Sequence, residues 1–522
     1  MAAENYLNVF KGKDSLRKFY DPDCAPPLPL VEIPEKLNPF YSDNVRIYAK
    51  LLTALPAQNV KALPALNMLE KEPSCASKSI IESSSGSTVT SLSLGARVLY
   101  DNDDVHAYIT NKCESGRLKQ LLFWGLKLHL YGGPAQPEIQ DERGIVARLE
   151  RLARDNADSV YNPNQYTNEN NWKSHIRWTA PQLWRQLPEI NVFAMGMGSA
   201  GCVSGTGMYL KERKPSVKVL GVCNAVNDPV PGPRPAPLME CSQFPWRETV
   251  DQVLSVGSKA SFAASLELSR QGIAAGPSSG MALQGLLDWL QTEKSEGRLS
   301  QHADPVTGEI HCVFVCCDLP HMHLDQYFAK LDDSYFHPIV NKELLTFDLD
   351  KYDITWELSC DDARLKSFIS ASKTLSNPLQ ELGVTLLDLR HASDYDAGHI
   401  KGAISSPLGG LTGPPKSLFW DTEVLRKHWG SMTSKFAEDA RLLELLADCA
   451  GPVYVICYDG EVARLATAVM RAKGYEAFSI RGGMEAIRQD FGTFVIENKR
   501  APELVAGQES LKFVPPAVVG IE

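Results

Sequence analysis

From Arg46 to Leu331, short β-branched apolar runs alternate with longer amphipathic stretches. NVFAMGM, SVKVLGVCN and HCVFVCC read as buried strands, whereas IRWTAPQLWRQL and FAASLELSRQGIAA place apolar residues at helical spacing. Strands alternating with crossover helices specify a parallel sheet in an α/β fold. The rhythm stops after about residue 332, and residues 336–378 read as a connector with some helix. A second, shorter α/β series follows: VTLLDLR as a strand, PVYVICYDG as strand and turn, EVARLATAVMRAKGY as a helix, AFSIRGG as a strand ending in a turn. The Pro-rich residues 1–40 read as irregular, and the tail from about Arg500 as a loose extension. The expected boundaries are 1–335 and 379–500 for the two domains, with 501–522 as tail.

Length agrees with that division, since 522 residues exceed what one hydrophobic core organises. A net charge of -10 without a basic stripe argues against nucleic-acid binding. No apolar run approaches the ~18 residues of a membrane span. The N-terminus, MAAENYLNVFKGKDSLRKFYD, lacks an apolar signal core and mixes acids with bases, so the expected setting is cytoplasmic. The 12 cysteines are scattered without paired CxxC spacing, which points to reduced thiols and no metal site.

The most informative stretch is NVFAMGMGSAGCVSGTGMYLKE, a strand running into a Gly-rich turn and then a helix. Glycines let backbone N–H groups approach a phosphate, and the helix N-terminus adds a favourable dipole. Gly196, Gly198 and Gly201 satisfy G-x-G-x-x-G. A dinucleotide site also needs an acid at the end of the next strand, where this chain has Cys223 and Asn224. A monophosphate cofactor is the better expectation.

The segment from Gly196 to Gly207 resembles the phosphate loop of the cysteine synthase family, fold-type-II pyridoxal-phosphate enzymes related to the tryptophan synthase β chain. Further landmarks follow in family order. RIYAKLLTALPAQNVKALPALNMLE resembles the segment carrying the cofactor lysine, IIESSSGSTVTSLSLGAR the loop that binds the substrate carboxylate, and GIAAGPSSGMALQGL the element that meets the pyridine ring. The resemblance spans roughly residues 35–330 and implies two parallel-sheet subdomains, pyridoxal 5'-phosphate as cofactor and a homodimer. Together with the C-terminal unit, the arrangement resembles the cysteine-synthase-like proteins of fungi.

The resemblance assigns Lys61 as the Schiff-base lysine. Burial at the start of VKALPALNML is expected to lower its pKa. Gly198, Ser199, Ala200, Gly201 and Cys202 are expected around the phosphate. Ser278, with Ser279 as its rival, is expected at the pyridine nitrogen, where a neutral hydroxyl favours loss of a β-substituent over transamination. Both serines also read as helix N-caps. Ser84, Ser85, Gly86 and Thr88, with Gln165 by analogy, are expected at the substrate carboxylate. Two departures stand out: Ser87 replaces the family's Asn at the cofactor's phenolic oxygen, and Val89 replaces its adjoining Gly.

LLDLRHASDYDAGHIKGAISSPL resembles the opening of a rhodanese domain, with Asp388, Arg390, Gly398, His399 and Gly402 in place. CYDGEVAR then supplies Cys457 after a buried strand, where loop amides are expected to lower the thiol pKa and support a persulfide. Asp459 and Glu461 make that loop unfavourable to anionic thiosulfate, and a buried, inert cysteine is the alternative reading. The implied function is β-replacement on an O-acyl-L-serine with sulfide, giving L-cysteine, with sulfide or a sulfane donor as the second small-molecule partner. Alternatives are β-elimination, as in a cysteine desulfhydrase or serine/threonine dehydratase, and a non-catalytic sulfur-sensing or scaffold protein.

Overall fold

The computed structural model describes residues 5, 7–134, 136, 138–375, 381–409, 418–449, 451–492 and 495–497. The tail expected beyond residue 500 lies outside them. The chain separates into two compact units, residues 1–337 and 338–522.

The first unit holds two sheets. The larger contains β1 (Leu30–Glu32), β2 (Val45–Leu51), β7 (Val192–Gly196), β8 (Lys218–Asn224), β9 (Gln252–Val256) and β10 (Ile310–Cys316), in the order β1-β2-β10-β7-β8-β9. All pairs are parallel except β1 with β2. The smaller runs β5-β4-β3-β6 and is parallel throughout, from β3 (Ser79–Ser83), β4 (Val105–Thr110), β5 (Lys127–Tyr131) and β6 (Val160–Tyr161). Helices cover both faces of the larger sheet, so its central strands are apolar without alternation. On β10, Val313 and Val315 face one core while Cys312, Phe314 and Cys316 face the other.

Three details differ from the sequence reading. The Pro-rich lead-in is not wholly irregular: it forms the helix Ser15–Tyr20 and β1, whose Leu30 sits opposite Lys50. The helix expected through Ala275 is Ser258–Arg270, ended by Gly272 at a φ of +97°. At the start of IRWTAPQLWRQL, His175 and the segment's first four residues form a π-helical turn, His175–Thr179, ahead of the regular helix Ala180–Gln186, a bulge that often marks functional positions.

The second unit is built on a five-stranded parallel sheet. It contains β11 (Glu357–Leu358), β12 (Thr385–Asp388), β14 (Ile404–Ser405), β15 (Val453–Ile456) and β16 (Ala477–Ile480), ordered β11-β16-β15-β12-β14. A separate antiparallel pair joins β13 (Gly398–Ile400) to β17 (Val495–Glu497). The stretch read as a connector belongs to this unit. Glu357–Leu358 supply its edge strand, and Leu365, Phe368 and Ile369 of helix Ala363–Thr374 enter its core. Asp388 and Arg390 form a buried ion pair at 2.7 Å, and Arg390 also donates to Gly398 O, so these landmarks act as scaffold. No helix among the described residues is long and apolar enough to cross a membrane.

Lys50 on β2 is fully buried, and its ammonium donates to Leu28 O (2.7 Å), Gln182 Oε1 (3.2 Å) and Gln186 Oε1 (2.7 Å). None of these is a carboxylate. Burial, with the Arg185 charge adding, lowers its pKa to about 7. The unfolded chain therefore holds this proton more tightly, so stability is depressed below pH 7 and recovers above it, where the folded lysine gives up its proton while the unfolded one still keeps it. Between pH 7 and 9 the recovery is roughly 2–3 kcal/mol. Denaturant unfolding across that range is expected to show the rise in wild type and a flatter profile in Lys50→Met; parallel profiles would refute it.

Candidate functional site

In parallel sheets the strand carboxyl ends form the ligand edge, and the expected site residues gather there in the first unit. Lys61 caps the helix Ala62–Glu70; the residue is half-buried, with its amine at the enclosed end. Two ties fix its backbone. Val60 N donates to Cys317 O beyond β10 (2.7 Å), and Lys61 N donates to Asn59 Oδ1 (2.9 Å). Asn59 Oδ1 also accepts from Ser91 Oγ (3.0 Å) of the helix Ser87–Tyr100, so one buried amide locks the lysine to the carboxylate-loop helix. The surrounding protein pushes the Lys61 amine pKa down. The Cys317 and Cys202 thiols act against that shift and Arg234 adds to it. No ion pair to Lys61 occurs among the described residues.

Ser84, Ser85 and Gly86 form the loop between β3 and the helix Ser87–Tyr100, with Gly86 N donating to Ser84 Oγ (3.2 Å). Gly86 takes a φ of +155°, a backbone that L side chains rarely adopt, and a Cβ there would also displace the Arg117 guanidinium. Thr88 Oγ1 donates to Gln165 Oε1 (2.7 Å), and Gln165 Nε2 donates to Ser83 O (3.2 Å). Thr88 and Gln165, distant in sequence, are thus neighbours. Val89 points into the apolar core of the smaller sheet rather than toward the cleft. Beneath the loop lies Glu82, a buried acid that the sequence reading missed. It accepts from Ser83 N (3.0 Å) and Gln165 N (3.2 Å), and burial raises its pKa to about 8 despite those amides.

The glycine loop runs from Gly198 to Ala200, and the helix Gly201–Arg213 follows. Ala200 adopts a left-handed φ of 68° at the helix entry. The glycines do different work. A Cβ on Gly201 would meet Asn171 Oδ1 at 2.1 Å, inside the site, whereas one on Gly205 would meet Trp172 O at 2.1 Å, a packing contact. The structure thereby separates loop glycines from helix-packing glycines, which the motif alone could not. The Cys202 thiol is buried, with its pKa raised to about 12.

Ser278 and Ser279 open the helix Pro277–Ser295. Ser279 Oγ accepts from Cys317 N (2.9 Å), so it is committed to holding β10's end. The Ser278 hydroxyl stands by the Cys317 thiol and, with Lys61, favours its thiolate against the burial that raises this thiol's pKa. Cys317, legible in the sequence only as a strand end, therefore stands in the site. So does His175 on the π-turn: burial first, and the Lys61 charge second, hold its pKa near 3, leaving the ring neutral.

In the second unit, Cys457 follows β15, and its Sγ accepts from Gly460 N (3.1 Å) and Ala463 N (3.3 Å). The amides are where the sequence put them, but their expected effect is outweighed. Burial raises the Cys457 pKa to about 12; the Ala463 and Gly460 amides only partly offset that, and Asp459 opposes them. His399 Nδ1 donates to Tyr395 O (2.8 Å), and its ring stacks on the Tyr395 ring, a structural placement.

Residues 26–304, more than half the chain, match the family described as pyridoxal-phosphate dependent enzymes, and residues 371–490 match the rhodanese-like domain. Cysteine synthase from Aquifex aeolicus is 29% identical over 199 residues, which are 37% of this chain and 59% of that protein. N-(2-amino-2-carboxyethyl)-L-glutamate synthase from Cupriavidus metallidurans is 30% identical over 263 residues, 47% of this chain and 74% of that protein. The structure of O-acetyl serine sulfhydrylase isoform 3 from Entamoeba histolytica is similar at 21% identity and a TM-score of 0.49, covering 64% of this chain and 96% of that one. The chain thus spans about three fifths of the Aquifex cysteine synthase it matches. With the lysine, the loops and the strand ends in place, this chain belongs to the family of pyridoxal-phosphate dependent enzymes and carries a rhodanese-like domain after it.

Proposed function

We propose that the first unit catalyses β-replacement on an O-acyl-L-serine, with sulfide as nucleophile and L-cysteine as product. The observation that carries this reading is Lys61: a desolvated amine with no ion pair among the described residues, standing near the thiols of Cys202 and Cys317 beside the phosphate loop and β10's end. Such an amine suits an aldehyde, and the amide-lined loop at Gly198–Cys202 suits that cofactor's phosphate.

When bound, pyridoxal phosphate supplies an electron sink for charge developing at the substrate's α-carbon. Lys61, whose charged form burial disfavours, accepts the α-proton at Nζ and later returns it. His175, held neutral, does not compete for that proton near pH 7. The hydroxyls of Ser84, Ser85 and Thr88, with Gly86 and Gln165, orient the carboxylate. Ser87 would donate toward the phenolic oxygen with a shorter reach than Asn, and Ser278 would offer the pyridine nitrogen a neutral partner. The two relatives named above, a cysteine synthase and a synthase whose product carries an aminocarboxyethyl group, accord with transfer of a serine-derived three-carbon unit. The same reading places the enzyme in the cytoplasm as a homodimer.

In the second unit, Cys457 serves as the sulfur carrier. Its thiolate attacks the outer sulfur of a persulfide donor, a Cys457 S–S bond forms, and the donor thiol leaves with the electron pair.

Purified protein is expected to show a visible cofactor band that disappears in Lys61→Ala, with borohydride fixing the label on Lys61. A colourless wild type after cofactor addition would refute the assignment. Titration with O-acetyl-L-serine and then sulfide is expected to yield cysteine; pyruvate alone would make the enzyme an eliminase.

Cys457→Ser is expected to abolish use of a sulfane donor while sparing turnover with free sulfide. Unchanged rates with both sulfur sources would end the carrier role.

A further inference from the structure

A hydrogen-bonded chain joins the two loops that the functional reading assigns to different parts of the ligand. It starts at Thr88, whose Oγ1 donates to Gln165 Oε1 at 2.7 Å. The backbone carbonyl of Gln165 accepts from Asn171 Nδ2 at 2.6 Å, and the same Nδ2 donates to Ser199 Oγ at 3.1 Å. Ser199 Oγ in turn accepts from Gly201 N at 3.4 Å. Thr88, Gln165, Asn171 and Ser199 are 2%, 5%, 1% and 3% exposed, so water cannot replace these bonds cheaply.

Asn171 sits at the middle of the chain and is over-committed on one side only. Both Nδ2 bonds are made, yet Oδ1 is buried and has no hydrogen-bond partner. That oxygen is pressed against the phosphate loop, 2.1 Å from where a Gly201 Cβ would stand. A rotated amide would bring Oδ1 against the Gln165 carbonyl, acceptor to acceptor, so the present orientation is the favoured one. An unsatisfied buried acceptor costs about 1–3 kcal/mol. A site holds such an atom when an occupant completes it, here a hydroxyl or bound water arriving with the phosphate group.

We propose that Asn171 is a positioning residue that couples the phosphate loop to the substrate-carboxylate loop, so that filling one tightens the other. The claim rests on the pyridoxal-phosphate reading of the site. Coupling is reciprocal: whatever the phosphate does for amino-acid affinity, the amino acid does for phosphate affinity.

The test uses the cofactor-free full chain, loaded either with pyridoxal phosphate or with pyridoxal, which lacks the phosphate. Cofactor affinity is measured first, and L-serine affinity on each loaded form is then read from the cofactor's absorbance. Wild type is expected to bind L-serine on the order of fivefold more tightly, or better, when the phosphate is present. In Asn171→Leu, which keeps the volume and removes both amide atoms, that ratio is expected to fall toward one. Ser199→Ala, a smaller change at the far end of the same bond, is expected to reproduce the loss and decides the matter if Asn171→Leu does not fold. A ratio of one in wild type, or an undiminished ratio in the folded variants, would overturn the coupling. Failure of Lys61 to take the borohydride label in wild type would instead overturn the functional reading beneath it.

Discussion

An amine drawn out of water and given no carboxylate is the constraint on which this site depends. Desolvation disfavours the Lys61 ammonium, and the groups around it are thiols, a neutral imidazole and an arginine rather than acids. Had Glu82 stood beside it ionised, an ion pair would have returned Lys61 to an ordinary cation. Glu82 instead lies under the loop, turned to backbone amides and biased toward its protonated form. The same fold therefore carries a buried acid and a buried base without letting them neutralise each other.

The sheet topology makes that separation possible. Parallel pairing brings β7 and β10 to the carboxyl edge of the larger sheet and β3 to that of the smaller one, and each delivers one loop. The lysine is then pinned from two directions, by Cys317 O from the larger sheet and by Asn59 and Ser91 from the helix of the smaller one. Lys50 shows what the fold does with a buried lysine that has no such task. Three oxygen acceptors satisfy it, and it stays off the cleft.

Elements and their order were legible because strand and helix periodicities are local, and the glycine loop was legible because phosphate binding restricts side-chain size over several consecutive residues. Lys61, Ser278 and the hydroxyl loop became legible only as an ordered set, through resemblance. What stayed hidden was long-range. Nothing local distinguishes Asn171 from the other asparagines of NPNQYTNENN, since its role arises from meeting Ser199 across the fold. Cys317 looked like any apolar strand end, and nothing in the sequence reading assigned Glu82 a role. The edge strand Glu357–Leu358 was missed because two residues carry no periodicity.

The sign of the Cys457 shift is the more general lesson, because the expected groups were present and the outcome still reversed. Two amides within 3.3 Å favour the thiolate, yet removal of the sulfur from water costs more than they return, and Asp459 adds to the cost. The balance changes once a second sulfur is attached. A persulfide is intrinsically more acidic than a thiol, and its negative charge lies on the outer sulfur, further from the apolar core beneath β15. Amides too weak to ionise the buried thiol are then opposed by a smaller penalty. For the proposed transfer, such a pocket makes loading the costly step, because loading needs the thiolate that burial disfavours, and it opposes the anion of the loaded form less.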